Sequence, residues 1–333
     1  MNNLIKKAIL IFQTLSVLLL ISCSEKDIVE PNPEPVYNTV FKDKLFKNGF
    51  NLRSTNEANP GLVGKLDYDG QAIGNPVWNI GQWNCINNDL LDANYNFVNN
   101  QHEYLVGTNG NKVTVNTTDG TITLELNTST EYGLNGITHD PRREGEPWPT
   151  LLLEYEIPKS EIVKISDKQE IRMKVDYNVH KLEDKMMPST TNPDLHSAQF
   201  QWFITVQNRN VSSVEFGRYI WFGFNFQDKR FDYAPYYAAQ DGGKENNTGA
   251  FIYMPDMRPL MSSQGKAELN KEFSVDIDVL PIIREAFDLA QKRNFLTKTI
   301  WEDLYIGASN IGWEVTGTYD VAVDIHKIDI VFR

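Results

Sequence analysis

Two runs in the middle of the chain set its pattern. In Gln199–Gln207, the residues Phe200, Trp202, Ile204 and Val206 fall on one parity, and Gln199, Gln201, Phe203, Thr205 and Gln207 on the other. In Arg218–Phe226, the residues Ile220, Phe222, Phe224 and Phe226 alternate with Tyr219, Trp221, Gly223 and Asn225. Strand side chains alternate between faces, and aromatic and β-branched residues suit strands. The polar break Asn208–Ser213 between the runs predicts an antiparallel hairpin. Its two apolar faces belong in a core. Its amides, Trp221 and Tyr219 then share the outer surface.

Shorter runs of the same kind recur at Val77–Trp83, Tyr104–Val106, Lys112–Asn116, Thr121–Asn127, Leu151–Ile157 and Glu170–His180. They continue at Phe251–Tyr253, Glu272–Val279, Asp303–Ala308 and Tyr319–Phe332. Asn109-Gly110 and Asp119-Gly120 separate neighbouring runs and signal tight hairpins. In the last run the apolar parity slips near His326-Lys327, which predicts a bulge. One segment departs from period two. From Pro281 to Ala290 the apolar residues are spaced by three or four, with Pro281 suited to a first helical turn. Many short strands and one short helix near residues 281–292, without strand–helix alternation, predict an all-β chain. The expected architecture is a two-sheet β-sandwich or jelly roll. No boundary is visible after about residue 45, so residues 46–333 are expected to form a single domain.

The start of the chain has a different character. Lys6 and Lys7 precede the apolar stretch Ala8–Ile21, which is short for a membrane span and ends Leu20-Ile21-Ser22-Cys23. This order resembles a bacterial lipobox, which implies a signal peptide over residues 1–22 and lipidation of Cys23. Ser24-Glu25-Lys26-Asp27 is similar to the surface-export signal of lipoproteins in the Bacteroidota. Pro31, Pro33 and Pro35 then alternate with polar and acidic residues, so residues 23–45 are expected to be an extended tether. These resemblances imply a lipid-anchored outer-membrane protein exposed on the cell surface.

The formal net charge of −12 argues against a nucleic-acid partner. With Cys23 carrying the lipid, Cys85 has no disulfide partner in the chain. The five histidines (His102, His139, His180, His196 and His326) include no short-spaced pair, so no zinc site and no cofactor are expected. Asp67-Tyr68-Asp69-Gly70 and Asn87-Asn88-Asp89 could offer oxygens to calcium, although turn chemistry explains them as well. Nucleophile elbows, phosphate loops and dinucleotide fingerprints are absent.

Two classes of carbohydrate chemistry stay open. Glu154 and Glu156 stand two apart in a strand, about 7 Å from each other on one face. Glycoside hydrolysis needs carboxyl groups at roughly 5 to 9.5 Å. Laminarinase-type sandwich hydrolases carry an E-x-D-x-x-E pattern there, but this chain reads Glu154-Tyr155-Glu156-Ile157-Pro158-Lys159. A lyase would use Tyr and Arg, which the stretch with Arg230, Tyr233, Tyr236 and Tyr237 offers by type. Binding is the other class. A sugar presents C–H faces to flat aromatics and hydroxyls to amides and carboxylates. Candidate ligand-binding residues are Trp221, Tyr219, Asn225, Gln199, Gln201, Asp228, Arg230, Asp232 and Trp148, the last in a Pro-flanked loop. Trp78, Trp83, Trp301 and Trp313 are further aromatics near strand ends.

Taken with the anchor, the chain resembles the surface lipoproteins of polysaccharide-utilisation systems. Tyr219–Phe224 and the ending Gly312–Phe332 resemble a lectin-type jelly roll. The resemblance implies capture of a poly- or oligosaccharide in an aromatic and amide-lined groove. A degrading enzyme on the same fold is the alternative, and a structural or adhesive surface protein without a glycan ligand is the third reading.

Overall fold

A computed structural model describes residues 35–132, 141–242 and 247–333. The segment expected to be a signal peptide, Cys23 and the expected tether up to residue 34 lie outside the described residues, as does His139. Of the N-terminal unit, residues 1–36, the described positions Pro35 and Val36 are exposed.

In the second unit, Tyr37–Arg333, the strands in chain order begin with β1 (Asn38–Thr39), β2 (Phe50–Arg53), β3 (Leu62–Leu66), β4 (Trp78–Gly81), β5 (Asn94–Val98) and β6 (Gln101–Leu105). There follow β7 (Lys112–Asn116), β8 (Thr121–Asn127), β9 (Thr150–Glu156), β10 (Val163–Lys164), β11 (Ile171–Asp184) and β12 (Ala198–Asn208). The series closes with β13 (Tyr219–Asp228), β14 (Tyr237–Gln240), β15 (Phe251–Met254), β16 (Glu272–Asp278), β17 (Leu304–Val315) and β18 (Tyr319–Phe332). One sheet has the order β16-β11-β18-β8-β7-β6-β5, with β1 added beside β18. The other has the order β14-β15-β13-β12-β17-β9-β4-β2-β3, with β10 added beside β17. The result is a two-sheet β-sandwich of jelly-roll type, as the alternation predicts.

The sheets meet through aromatics. Tyr177 of β11 packs 5.1 Å from Phe200 and 5.3 Å from Phe226 across the interface, ring centre to ring centre. Phe200, Trp202, Ile204, Val206, Ile220, Phe222 and Phe224 are fully buried. Trp202 keeps its polar atom satisfied, Nε1 donating to Ser309 Oγ at 2.8 Å. The predicted hairpin pairs β12 with β13 antiparallel, and its register slips once, between Phe200 and Gln201. The bulge expected at the end of the chain is also present. Asp176 faces Lys327 and Tyr177 faces Ile325, so His326 is the extra residue.

The helix spans Leu280–Lys292 and buries Ile283, Ala286, Phe287 and Ala290. That spacing of three, one and three places all four on one stripe. The domain begins earlier than residue 46. Asn38 and Thr39 pair with Phe332 and Val331, and Phe41 is buried beside Trp78 and Tyr155. Residues 37–45 therefore belong to the sandwich, because their apolar side chains fill its core, and are not part of a tether.

Candidate functional site

The outer face of the second sheet carries a groove of about 430 Å³. Its floor comes from the non-core parity of β9, β17, β12 and β13: Thr150 and Leu152, Asn310 and Glu314, Gln199, Gln201 and Phe203, and Trp221 and Asn225. The hairpin register sets these side by side. Gln199 stands between Glu314 and Asp228, and Gln201 between Gly312 and Asn225. Gly223 faces Phe203, and a Cβ there would lie 2.3 Å from the ring, so the glycine is what lets Phe203 lie across β13.

Loops make the walls. After β13 the chain turns back, and Phe231, Pro235, Tyr236, Tyr237 and Asp241 close one side. Trp83 and Trp148 form the other, with Glu57 beside them. Trp148 Nε1 donates to Glu314 Oε2 at 3.0 Å, and the Arg142 guanidinium lies over the ring, 4.8 Å from its centre.

Of the expected site residues, Gln199, Gln201, Trp221, Asn225, Asp228, Arg230 and Trp148 line this groove. Two do not. Tyr219 lies beyond its end and packs edge-on against Trp221 at 5.2 Å, holding that ring in place. Asp232 is exposed at the surface, 3.6 Å from Lys266, because the turn after β13 carries it outward. Tyr233 sits under Arg258 at 4.8 Å, away from the groove lining.

Asp228 has a different role from that of a hydroxyl acceptor. It is buried, and Arg230 grips it with both arms, Nε to Oδ1 at 2.9 Å and a terminal nitrogen to Oδ2 at 2.7 Å. The Arg230 backbone N–H (3.0 Å), the Ser197 hydroxyl (2.7 Å) and Gln199 Nε2 (2.7 Å) also donate to it. Burial pushes the carboxyl up, but the arginine and these donors outweigh it and hold it below the usual aspartate range. With those lone pairs used, Asp228 organises the floor.

The acid pair on β9 is committed as well. Arg53 Nε donates to Glu154 Oε2 at 2.8 Å, and the same guanidinium bridges to Glu156. Burial raises the Glu154 pKa, with Arg53 opposing it. Both carboxylates lie outside the groove lining. The oxygen-rich segments serve turns and caps. Gly70 N–H binds Asp67 Oδ1 at 3.2 Å, and Asn87 and Asn88 donate to the buried Glu131. Among the described residues no group of three or more His, Cys, Asp or Glu is arranged to hold a metal ion.

Sequence reasoning missed Glu314, Asn310, Asp194 and Phe231. The first two had a signal. Ile311, Trp313 and Val315 alternate with Gly312 and Glu314, and β17 extends through that alternation rather than ending near Ala308. Trp78 and Trp313, which the sequence offers as aromatics like Trp83 and Trp148, are core residues.

The described architecture resembles several solved β-sandwich enzymes at low identity. A family 12 xyloglucanase from Bacillus licheniformis aligns with 11% identity and a TM-score of 0.40, over 76% of this chain and 100% of that one. The endoglucanase cel12A from Rhodothermus marinus gives 11% and 0.37, over 77% and 99%. A family 11 xylanase from Neocallimastix patriciarum gives 10% and 0.35, over 73% and 96%. No protein-family model and no curated protein matches the chain.

Proposed function

We propose that the groove holds a segment of a poly- or oligosaccharide chain, and that the protein is a lipid-anchored glycan-binding protein of the outer-membrane surface. The observation that carries the first half is the composition of the groove. Flat rings of Trp83, Trp148, Trp221, Tyr236 and Tyr237 stand among Gln199, Gln201, Asn225 and Asn310 in one open trench. Aromatic faces take the C–H side of a pyranose, and amides take hydroxyls with defined geometry. The second half rests on Leu20-Ile21-Ser22-Cys23 and the acidic residues behind it.

Capture is favoured over cleavage because the acids carried by the floor strands each have a partner. Asp228 is bound to Arg230, Glu154 to Arg53, and Glu314 accepts from Trp148. Glu314 is the observation on the side of hydrolysis, since it alone of the strand-borne glutamates lines the groove. A glycan array followed by calorimetry on the full chain tests the reading. Binding to a defined oligosaccharide is expected, and it should be lost on filling the groove with Gln201→Trp. Failure to bind any glycan on a broad array would remove the carbohydrate reading.

A further inference from the structure

The amide side chains on the groove floor are oriented by one buried carboxylate. Asp228, held as an anion by the two-armed Arg230 pair, can only accept hydrogen bonds. Gln199 must therefore turn its NH2 toward Asp228, and it does, at 2.7 Å. The Gln199 carbonyl then faces Gln201 and accepts from Gln201 Nε2 at 3.1 Å. Asn225 Nδ2 also leans toward Asp228, at 3.4 Å. Each amide spends an N–H on this chain of bonds.

The oxygens are what is left. Gln201 is 5% exposed, and its Oε1 accepts no bond among the described residues. Asn225 is 4% exposed, and its buried Oδ1 meets no donor among the described residues. A buried acceptor without a donor costs free energy, which holds for Asn225 Oδ1, while Gln201 Oε1 keeps its acceptor capacity at the groove surface; both favour a ligand that brings donors. The charges around them agree. Glu57, Asp194, Asp228, Asp241 and Glu314 line the groove; among the described lining residues Arg230 is the one cation, and Asp228 already neutralises it, while Arg142 lies behind the Trp148 ring.

We infer that the floor is an acceptor surface fixed by Asp228, and that it selects uncharged, hydroxyl-donating sugars and rejects uronic and sulfated ones. This deepens the glycan reading and rests on it. A neutral sugar hydroxyl donates to Gln201 Oε1 or Asn225 Oδ1. Where a uronate carboxylate is set against these oxygens it is itself an acceptor at neutral pH, so it leaves them unpaired and adds like-charge repulsion. Arg230, which could answer a uronate, is occupied. Asp228 is thus a positioning residue: it acts through Gln199 and Gln201.

The test compares neutral oligosaccharides with uronate oligosaccharides of matched length, by calorimetry at neutral pH and about 0.15 M salt, where distant charges are screened. The best neutral ligand is expected to bind at least about tenfold more tightly than the best uronate. Asp228→Asn keeps the shape but lets position 228 donate and frees Arg230. Its neutral-to-uronate ratio should fall several-fold, a readout that simple loss of packing would not move. Gln201→Met removes one free oxygen from the surface of the floor and should weaken neutral binding several-fold with unchanged unfolding; it decides the matter if Asp228→Asn fails to fold. Uronate binding equal to or tighter than neutral binding would overturn the inference while leaving the glycan reading intact. So would an unchanged ratio in a folded Asp228→Asn. Binding of no glycan at all would remove the glycan reading itself.

Discussion

Trp148 and Glu314 come from a loop and a strand 166 positions apart, yet the indole Nε1 donates to the carboxylate at 3.0 Å. The bond ties the groove wall to its floor. It also engages one oxygen of Glu314, the strand-borne glutamate that lines the groove. Glu314→Gln keeps an acceptor for the indole, so folding and glycan binding should both persist. Wild type should leave a bound oligosaccharide intact when reducing ends are assayed over hours. Reducing ends that accumulate with wild type and vanish with Glu314→Gln would make the groove a hydrolase.

Trp221 is partly exposed in the groove, braced edge-on by Tyr219 at 5.2 Å and Phe203 at 6.1 Å. Its ring contributes contact area to a ligand more than to the core. Trp221→Ala should weaken binding on the order of tenfold, the equivalent of about 1.4 kcal/mol. A core tryptophan would instead cost roughly 3 to 5 kcal/mol of stability. Affinity and denaturant unfolding, measured on the same sample, separate the two. A stability loss of that size with full affinity in the folded fraction would take Trp221 out of the site.

Cys23 follows the apolar stretch after the single small residue Ser22 and is expected to carry the lipid. Cys23→Ala should leave the membrane fraction, or never reach it, while its folded domain and glycan affinity are unchanged. Cell fractionation with immunodetection decides this, and wild-type partitioning of the variant would remove the anchor.

Much of this was written in the period of the sequence. Alternation in Phe200–Val206 and Ile220–Phe226 placed the core on one side and the groove on the other, because a strand offers no third choice of face. The helix was legible because Ile283, Ala286, Phe287 and Ala290 keep their stripe. Strands β2, β3, β5 and β14 were not, being four or five residues long with too few apolar positions to show a period. At the site, residue type alone could not distinguish Trp83 from Trp78; they stand five apart on opposite parities, and the pairing of Trp78 with the buried Tyr155 shows which parity is core. The pairing of Asp228 with Arg230 was hidden for another reason. It depends on the turn that returns the chain after β13, whose geometry no periodicity encodes.

Cys85 is fully buried, with Sγ 3.3 Å from the Thr150 carbonyl. Burial pushes its thiol well above the ordinary range, and the nearby Glu131 adds to the shift. Thiolate is the reactive form, so Cys85 should be inert in the native state. A chromogenic thiol reagent should react only as the protein unfolds, and reductant should leave Tm unchanged. Rapid native labelling would contradict the burial.

On the outer face of the first sheet, Lys112, Glu125, Ala322 and Lys181 stand in one cross-strand row. The small Ala322 lets Lys181 reach over β18 to Glu125 Oε1 at 2.8 Å, while Lys112 reaches Oε2 at 2.8 Å. Burial pushes Glu125 up, but the two lysines outweigh it and hold the carboxyl at about 2, against an ordinary 4.5. A depressed carboxylate stabilises the fold fully above its unfolded pKa, and that contribution fades as pH falls toward the folded value. The loss from this group therefore falls between about pH 4.5 and 2 and is on the order of 2 kcal/mol. Glu154, held high by burial, acts in the opposite direction, so total stability alone does not isolate the effect. The difference between wild type and Glu125→Gln does. It should be large near pH 7 and shrink toward zero as pH approaches 2, in denaturant unfolding followed by fluorescence. A difference independent of pH would mean that the three side chains do not share their charges.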